Sequence, residues 1–102
     1  MHRTTAEQYM FDIYHFLEVN GRYSKDEFGE SFYFDTENFF VVCSQLRGSE
    51  ILKLIVFFKN TDSIALLAQT PATNGHKVSF SYGDFEVLEK VKNDLTVKEK
   101  EV

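Results

Sequence analysis

One cysteine, one proline and no tryptophan occur among the 102 residues of this chain, and its five glycines are scattered. A single thiol, Cys43, has no intramolecular partner for a disulfide and lies inside an apolar run, so a reducing compartment is expected. Scattered glycines leave neither a phosphate-cradling loop nor a dinucleotide fingerprint, and Asn74-Gly75 reads as turn chemistry. Basic residues are in deficit, 11 against 16 acidic, and the net charge of −5 repels nucleic-acid phosphates, which disfavours a DNA or RNA reader. No apolar run approaches the ~20 residues of a membrane-spanning helix. Met1 to Gln8 contain no apolar stretch of the signal-peptide type, and Glu7 and Asp12 argue against a transit peptide. A cytoplasmic location without membrane contact is therefore the expectation.

Reactive chemistry is equally sparse. His2, His15 and His76 form no His-x-x-x-His pattern, and the one carboxylate at a helical offset, Glu18 from His15, reads as a surface ion pair rather than a metal ligand. Cys43 with His15 or His76 as base would make a nucleophile, but a cysteine in an apolar strand is more simply a small core residue. No catalytic residue, cofactor or metal is expected, and the chain reads as non-enzymatic.

What the sequence does have is aromatic and apolar: eleven phenylalanines and five tyrosines, a composition that favours strands and large contact areas. Thr4-Thr5-Ala6-Glu7 fits a capping box. Ala6, Tyr9, Met10, Ile13, Phe16 and Leu17 then recur at helical spacing until Asn20-Gly21. Arg22 to Glu30 reads as a connection with one short helical turn. From Ser31 the period switches to two, predicting five strands near 31–35, 39–46, 51–59, 63–70 and 77–82, joined by links too short for a parallel crossover. Gly83-Asp84 then caps a second helix with Phe85, Leu88, Val91 and Leu95 on its apolar stripe. The prediction is a single α+β domain over residues 1–95, an N-terminal helix, a five-stranded antiparallel meander and a C-terminal helix. Both helices lie on one face of the sheet, and a charged tail, 96–102, frays.

Three runs break the alternation expected of a one-sided sheet: Phe39 to Cys43, Leu54 to Phe58 and Ile64 to Ala68. A strand apolar on both sides needs cover on both faces, and two helices of ~10 Å diameter cover about one face of such a sheet. On the third predicted strand, Leu52, Leu54, Val56 and Phe58 are assigned beneath the helices, leaving Ile55 and Phe57 on the far face. On the fourth, Ile64, Leu66 and Ala68 are assigned to the core, and Ala65 and Leu67 to the far side. The second strand gives that face either Phe39, Val41 and Cys43 or Phe40, Val42 and Leu46. The fifth reads as one-sided, with Val78, Phe80 and Tyr82 opposite Lys77, Ser79 and Ser81.

An apolar centre with a polar rim is the layout of an interaction surface. A second candidate is the segment 25–38, where Asp26, Glu27, Glu30, Asp35 and Glu37 interleave with Phe28, Phe32, Tyr33 and Phe34, as on an acidic edge that docks into a basic groove. The bland reading is an edge strand whose acids discourage pairing. The leading expectation is a protein-binding module, an inhibitor, immunity or chaperone-like protein of phage or bacterial type, homodimeric, that masks a partner surface. Ile55, Phe57, Leu67, Val41, Asp26, Glu27, Glu30 and Tyr33 are its candidate contact residues. The alternative is a binder of small apolar ligands, or a simple enzyme, with a half-barrel pocket and Tyr14, His15, Tyr33 or His76 at its mouth.

Overall fold

The residues that recur at helical spacing near the N-terminus form α1 (Thr5–Asn20), burying Met10, Ile13, Phe16 and Leu17 along one side. The helix stops where the chain turns at Gly21, whose N–H donates to the Leu17 carbonyl at 2.8 Å, while Asn20 Nδ2 donates to the Phe16 carbonyl at 3.1 Å. The computed structural model describes residues 5–27, 29–46, 51–60, 63–71 and 78–101; Thr4 of the capping box lies outside them. After α1 come β1 (Arg22–Asp26), β2 (Gly29–Asp35), β3 (Phe39–Leu46), β4 (Ile51–Phe58), β5 (Ser63–Pro71), β6 (Ser79–Tyr82) and α2 (Phe85–Glu101). The strands form one antiparallel sheet in sequential order, β1 to β6.

The fold class is the α+β meander between two helices that the periodicity predicts, with one strand more than expected. Arg22–Asp26, assigned above to a connection with a helical turn, is β1, paired along its length with β2. Two local interactions favour the hairpin: the Tyr23 ring lies against Phe32 at 5.1 Å between centroids, and Asp26 Oδ1 accepts the Gly29 N–H at 3.1 Å. Helix α2 also runs further than the apolar stripe implied. The tail assigned to fraying is helical through Glu101, and the Thr96 hydroxyl donates to the Lys92 carbonyl at 2.8 Å. At its other end, Asp84 caps the helix by accepting the Val87 N–H on Oδ1 at 3.1 Å, which satisfies a donor that the first turn leaves open.

Both helices lie on the same face of the sheet. Their buried side chains share one cluster with Phe39, Val41 and Cys43 of β3, Leu54 and Val56 of β4, and Ala65, Leu66 and Ala68 of β5. Phe32 and Phe34 of β2 extend it, with the Phe34 ring edge-on to Phe16 at 5.0 Å. This resolves the second predicted strand: Phe39, Val41 and Cys43 face the helices, so Phe40 and Val42 face away.

Two bulges overturn assignments made from alternation. Val56 pairs with Leu66 but Phe57 pairs with Ile64, which leaves Ala65 as an extra residue in β5. Ala65 turns into the core, 6% exposed, and Ile64, expected there, is 40% exposed beside Phe57. Likewise Leu67 pairs with Tyr82 and Ala68 with Phe80, so Ser81 is the extra residue and Tyr82 moves to the face opposite Phe80. A bulge bends the strand and shifts the side-chain phase by one.

Gly83 follows that second bulge at φ +80°, where a Cβ would lie 2.5 Å from the Ala65 carbonyl oxygen. Replacing it with alanine adds both left-handed strain and a backbone overlap, so Gly83→Ala is expected to lower stability by about 1–3 kcal/mol. Urea titration checks this; an unchanged midpoint would contradict the tight junction.

Candidate functional site

The face of the sheet turned away from the helices is organised in rows that run across the strands. Register places Arg22, Tyr33, Val42, Ile55, Leu67 and Tyr82 side by side, one from each strand. On one side of that row lie Asp35, Phe40, Phe57 and Ile64. On the other lie Ser24, Ser31, Ser44, Lys53, Gln69 and Ser79, a row that is polar throughout. Eight uncharged side chains thus form a two-row band: Tyr33, Val42, Ile55, Leu67 and Tyr82 beside Phe40, Phe57 and Ile64. Tyr33 and Phe40 touch diagonally, with ring centroids 6.1 Å apart.

The band is exposed. Tyr82 is 59% and Ile64 40% accessible, and the other six are half-buried, shielded by one another. Among the described residues, the helices' buried partners all lie on the opposite face. Beyond the polar row, Ile51 adds one more exposed apolar residue. Among the described residues, the face's charged side chains are Arg22, Lys53, Asp26 and Asp35, and Asp35 is paired with Lys59. These described charges nearly cancel although the chain carries −5.

Of the residues nominated from sequence, Tyr33, Ile55, Phe57 and Leu67 are brought together here. Val41 is not: it is fully buried beneath the helices, because β3 enters the sheet with its odd-numbered residues inward, and Phe40 and Val42 take the position assigned to it. Ile64, Tyr82 and Arg22 belong to the surface but were missed. The two bulges that place Ile64 and Tyr82 leave no mark in a period-two pattern, and Arg22 was taken for loop.

The acidic candidates are divided. Asp26, Glu27 and Glu30 sit in the β1–β2 hairpin, where Lys25 pairs directly with Glu30. Asp35 and Glu37 lie at the far end of the seven-residue β2, where six steps of ~3.4 Å from Gly29 put Asp35 roughly 20 Å away. The segment is therefore two small groups rather than one acidic edge, and opposite-charge pairing within the hairpin supports the reading of acids on an exposed edge strand.

Cys43 is buried, and desolvation, helped by the nearby Glu18 carboxylate, pushes its thiol up to about 12. A thiol held protonated is a poor nucleophile. His15 is exposed and pairs with Glu18 at 3.1 Å, as its helical spacing suggests. Tyr14 and His15 border a solvent-open groove of about 490 Å³ beside α1 that also touches Phe11, Gln45 and Leu52. Burial, then Glu18, raises the Tyr14 pKa. Of the residues named for a pocket mouth, Tyr14 and His15 meet at this groove, Tyr33 lies on the other side of the sheet, and His76 is outside the described residues. No cluster of three metal-ligating side chains occurs among the described residues, and no helix among them is long and apolar enough to cross a membrane. Comparison of the chain with protein-family models, curated proteins and solved structures finds no match.

Proposed function

We propose that this chain is a non-enzymatic protein-binding module, which masks a partner's surface with the helix-free face of its sheet. One observation carries the reading: the eight-residue uncharged band is continuous across β2 to β6, is bordered by a polar row, and has no described element packed on it. Burying four or five such side chains contributes on the order of 10 kcal/mol before the costs of association, enough for a specific complex. An inhibitor, immunity or chaperone-like role in the cytoplasm suits a domain whose surface offers contact area and little reactive chemistry.

Affinity capture with wild type, Ile55→Asp and an Asp26→Lys, Glu27→Lys, Glu30→Lys variant tests the reading. Bound protein, including a differently tagged copy of the chain, is expected with wild type and the hairpin variant, and is expected to be lost with Ile55→Asp. Binding lost with the hairpin variant and kept by Ile55→Asp would move the contact to the acidic hairpin. No binding at all would contradict a binding role.

A further inference from the structure

We infer that the occupant of the outer face is a second copy of this chain, stacked sheet on sheet about a two-fold axis that runs along the strands between β3 and β4. The inference rests on the binding role proposed above and names its partner. Size is the first reason. Six strands at ~4.8 Å, most of them seven to nine residues long at ~3.3 Å per residue, outline a face of roughly 600–750 Å². A standard stable interface takes ~800 Å² from each partner. The apolar band alone falls well short, and a docked helix, ~10 Å across, would cover less than half of the face. A partner must be as broad and flat as the sheet itself and must meet the polar row as well as the band.

Self-complementarity is the second reason. The face has six positions in each long row, and a two-fold between β3 and β4 exchanges the first with the sixth, the second with the fifth and the third with the fourth. Arg22 is carried onto Tyr82 of the second copy, Tyr33 onto Leu67 and Val42 onto Ile55; in the shorter row Phe40 is carried onto Phe57. Apolar side chains meet apolar ones, and each end of the row brings a guanidinium over a tyrosine ring, a favourable cation–π arrangement. In the polar row Ser24 meets Ser79, Ser31 meets Gln69 and Ser44 meets Lys53, so no like charges are directly opposed, and the two Lys53 side chains flank the axis one strand spacing of ~4.8 Å apart. Asp35 alone falls opposite an apolar residue, Ile64, and its charge is held by Lys59 at the rim. A two-fold along the rows does worse: it either lays the apolar row on the polar one or overlaps only the band. Near-neutrality of the face lets two chains of charge −5 meet there with their acidic excess kept outside. Aligned packing sets the two sheets ~10 Å apart within ~30°.

Sedimentation equilibrium at micromolar concentration tests this, with the expected mass twice the 11.9 kDa of the chain. Ile55→Asp is expected to give a monomer that keeps its circular dichroism spectrum. Ser31 and Gln69 lie three strands apart within one chain but opposite each other across the dimer. The double variant Ser31→Lys, Gln69→Lys is therefore expected to dissociate at least about tenfold more readily than Ser31→Asp, Gln69→Lys, since like-charge opposition is costly at an interface. Equal dissociation of the two double variants would overturn the axis, and a dimer that survives Ile55→Asp would overturn the surface. A monomeric wild type overturns the inference outright. If that monomer still captures another protein through Ile55, the binding role stands with a different partner; if it captures nothing, both fail.

Discussion

Leu54→Ala is expected to remove about 3–5 kcal/mol of stability, while the same truncation one residue along, Ile55→Ala, is expected to cost the isolated monomer about 1 kcal/mol or less. Leu54 is wholly buried at the centre of the sheet. Its cross-strand neighbours on the helix side are Cys43 and Ala68, both too small to lean into the space that a missing isobutyl group leaves, so the cavity persists and the cost lies high in the usual range. Ile55 points the other way, where truncation removes half-exposed surface and opens no cavity. Its loss should register in self-association, which makes the adjacent pair a direct comparison of the two faces. Urea titrations of both variants, at concentrations where the chain is monomeric, provide the check. Similar losses at 54 and 55 would mean that the outer face is packed like the inner one.

Alkaline pH is expected to destabilise the chain through Cys43. Its thiol titrates near 9.0 when unfolded and at about 12 when folded, so the folded state binds the proton more tightly. The resulting contribution is complete below pH 9 and is lost as pH rises through 12, because the unfolded chain ionises first. It amounts to on the order of 4 kcal/mol across that window. Tyr14, also raised by burial and by Glu18, acts in the same direction from its ordinary 10.0. Cys43→Ala removes the thiol's share. Its stability should be lower than wild type at neutral pH because of the lost side-chain volume, yet should fall less steeply between pH 9 and 12. Parallel pH profiles for the two proteins would show that the thiol is not desolvated as described.

Much of the architecture was legible because long amphipathic periods and short polar links leave few alternatives. The stripe from Met10 to Leu17 admits only a helix, and links of three to six residues admit only antiparallel pairing. The face assignments of β4 could be read because Lys53 breaks its apolar run and fixes the phase. β5 offered no such marker. Ile64 to Ala68 is apolar throughout, so nothing in the residues signals that Ala65 is inserted and that the phase changes there. The same holds at Ser81, where one small polar residue among others hides the shift that sends Tyr82 outward. β1 was missed for a different reason: its residues, RYSKD, have turn-like composition, and what makes them a strand is the ring of Phe32 and the ladder of β2, neither of which is local.

The outer face of the sheet was legible in outline and blurred in detail for the same cause. Ile55 and Phe57 follow from period two counted from the phase that Lys53 sets, Leu67 from alternation alone, and Tyr33 was nominated with the acidic segment rather than with this face. Val41 was misplaced because FFVVC presents an apolar residue at every position, and only register against β4 decides which residues turn inward. The acidic segment looked like a unit in one dimension, but the hairpin and the length of β2 carry its charges to separate ends of the sheet.

Access of a soluble nitroxide to individual methyl groups, followed by NMR as the protein is diluted, addresses the outer face most directly. Methyls of Leu54, Val56 and Leu66 are expected to stay protected at every concentration. Those of Val42, Ile55, Ile64 and Leu67 should be protected when the protein is concentrated and become accessible as it dissociates. Protection of the second set in a chain shown to be monomeric would mean that the molecule covers its own far face, and the proposed contact surface would not exist.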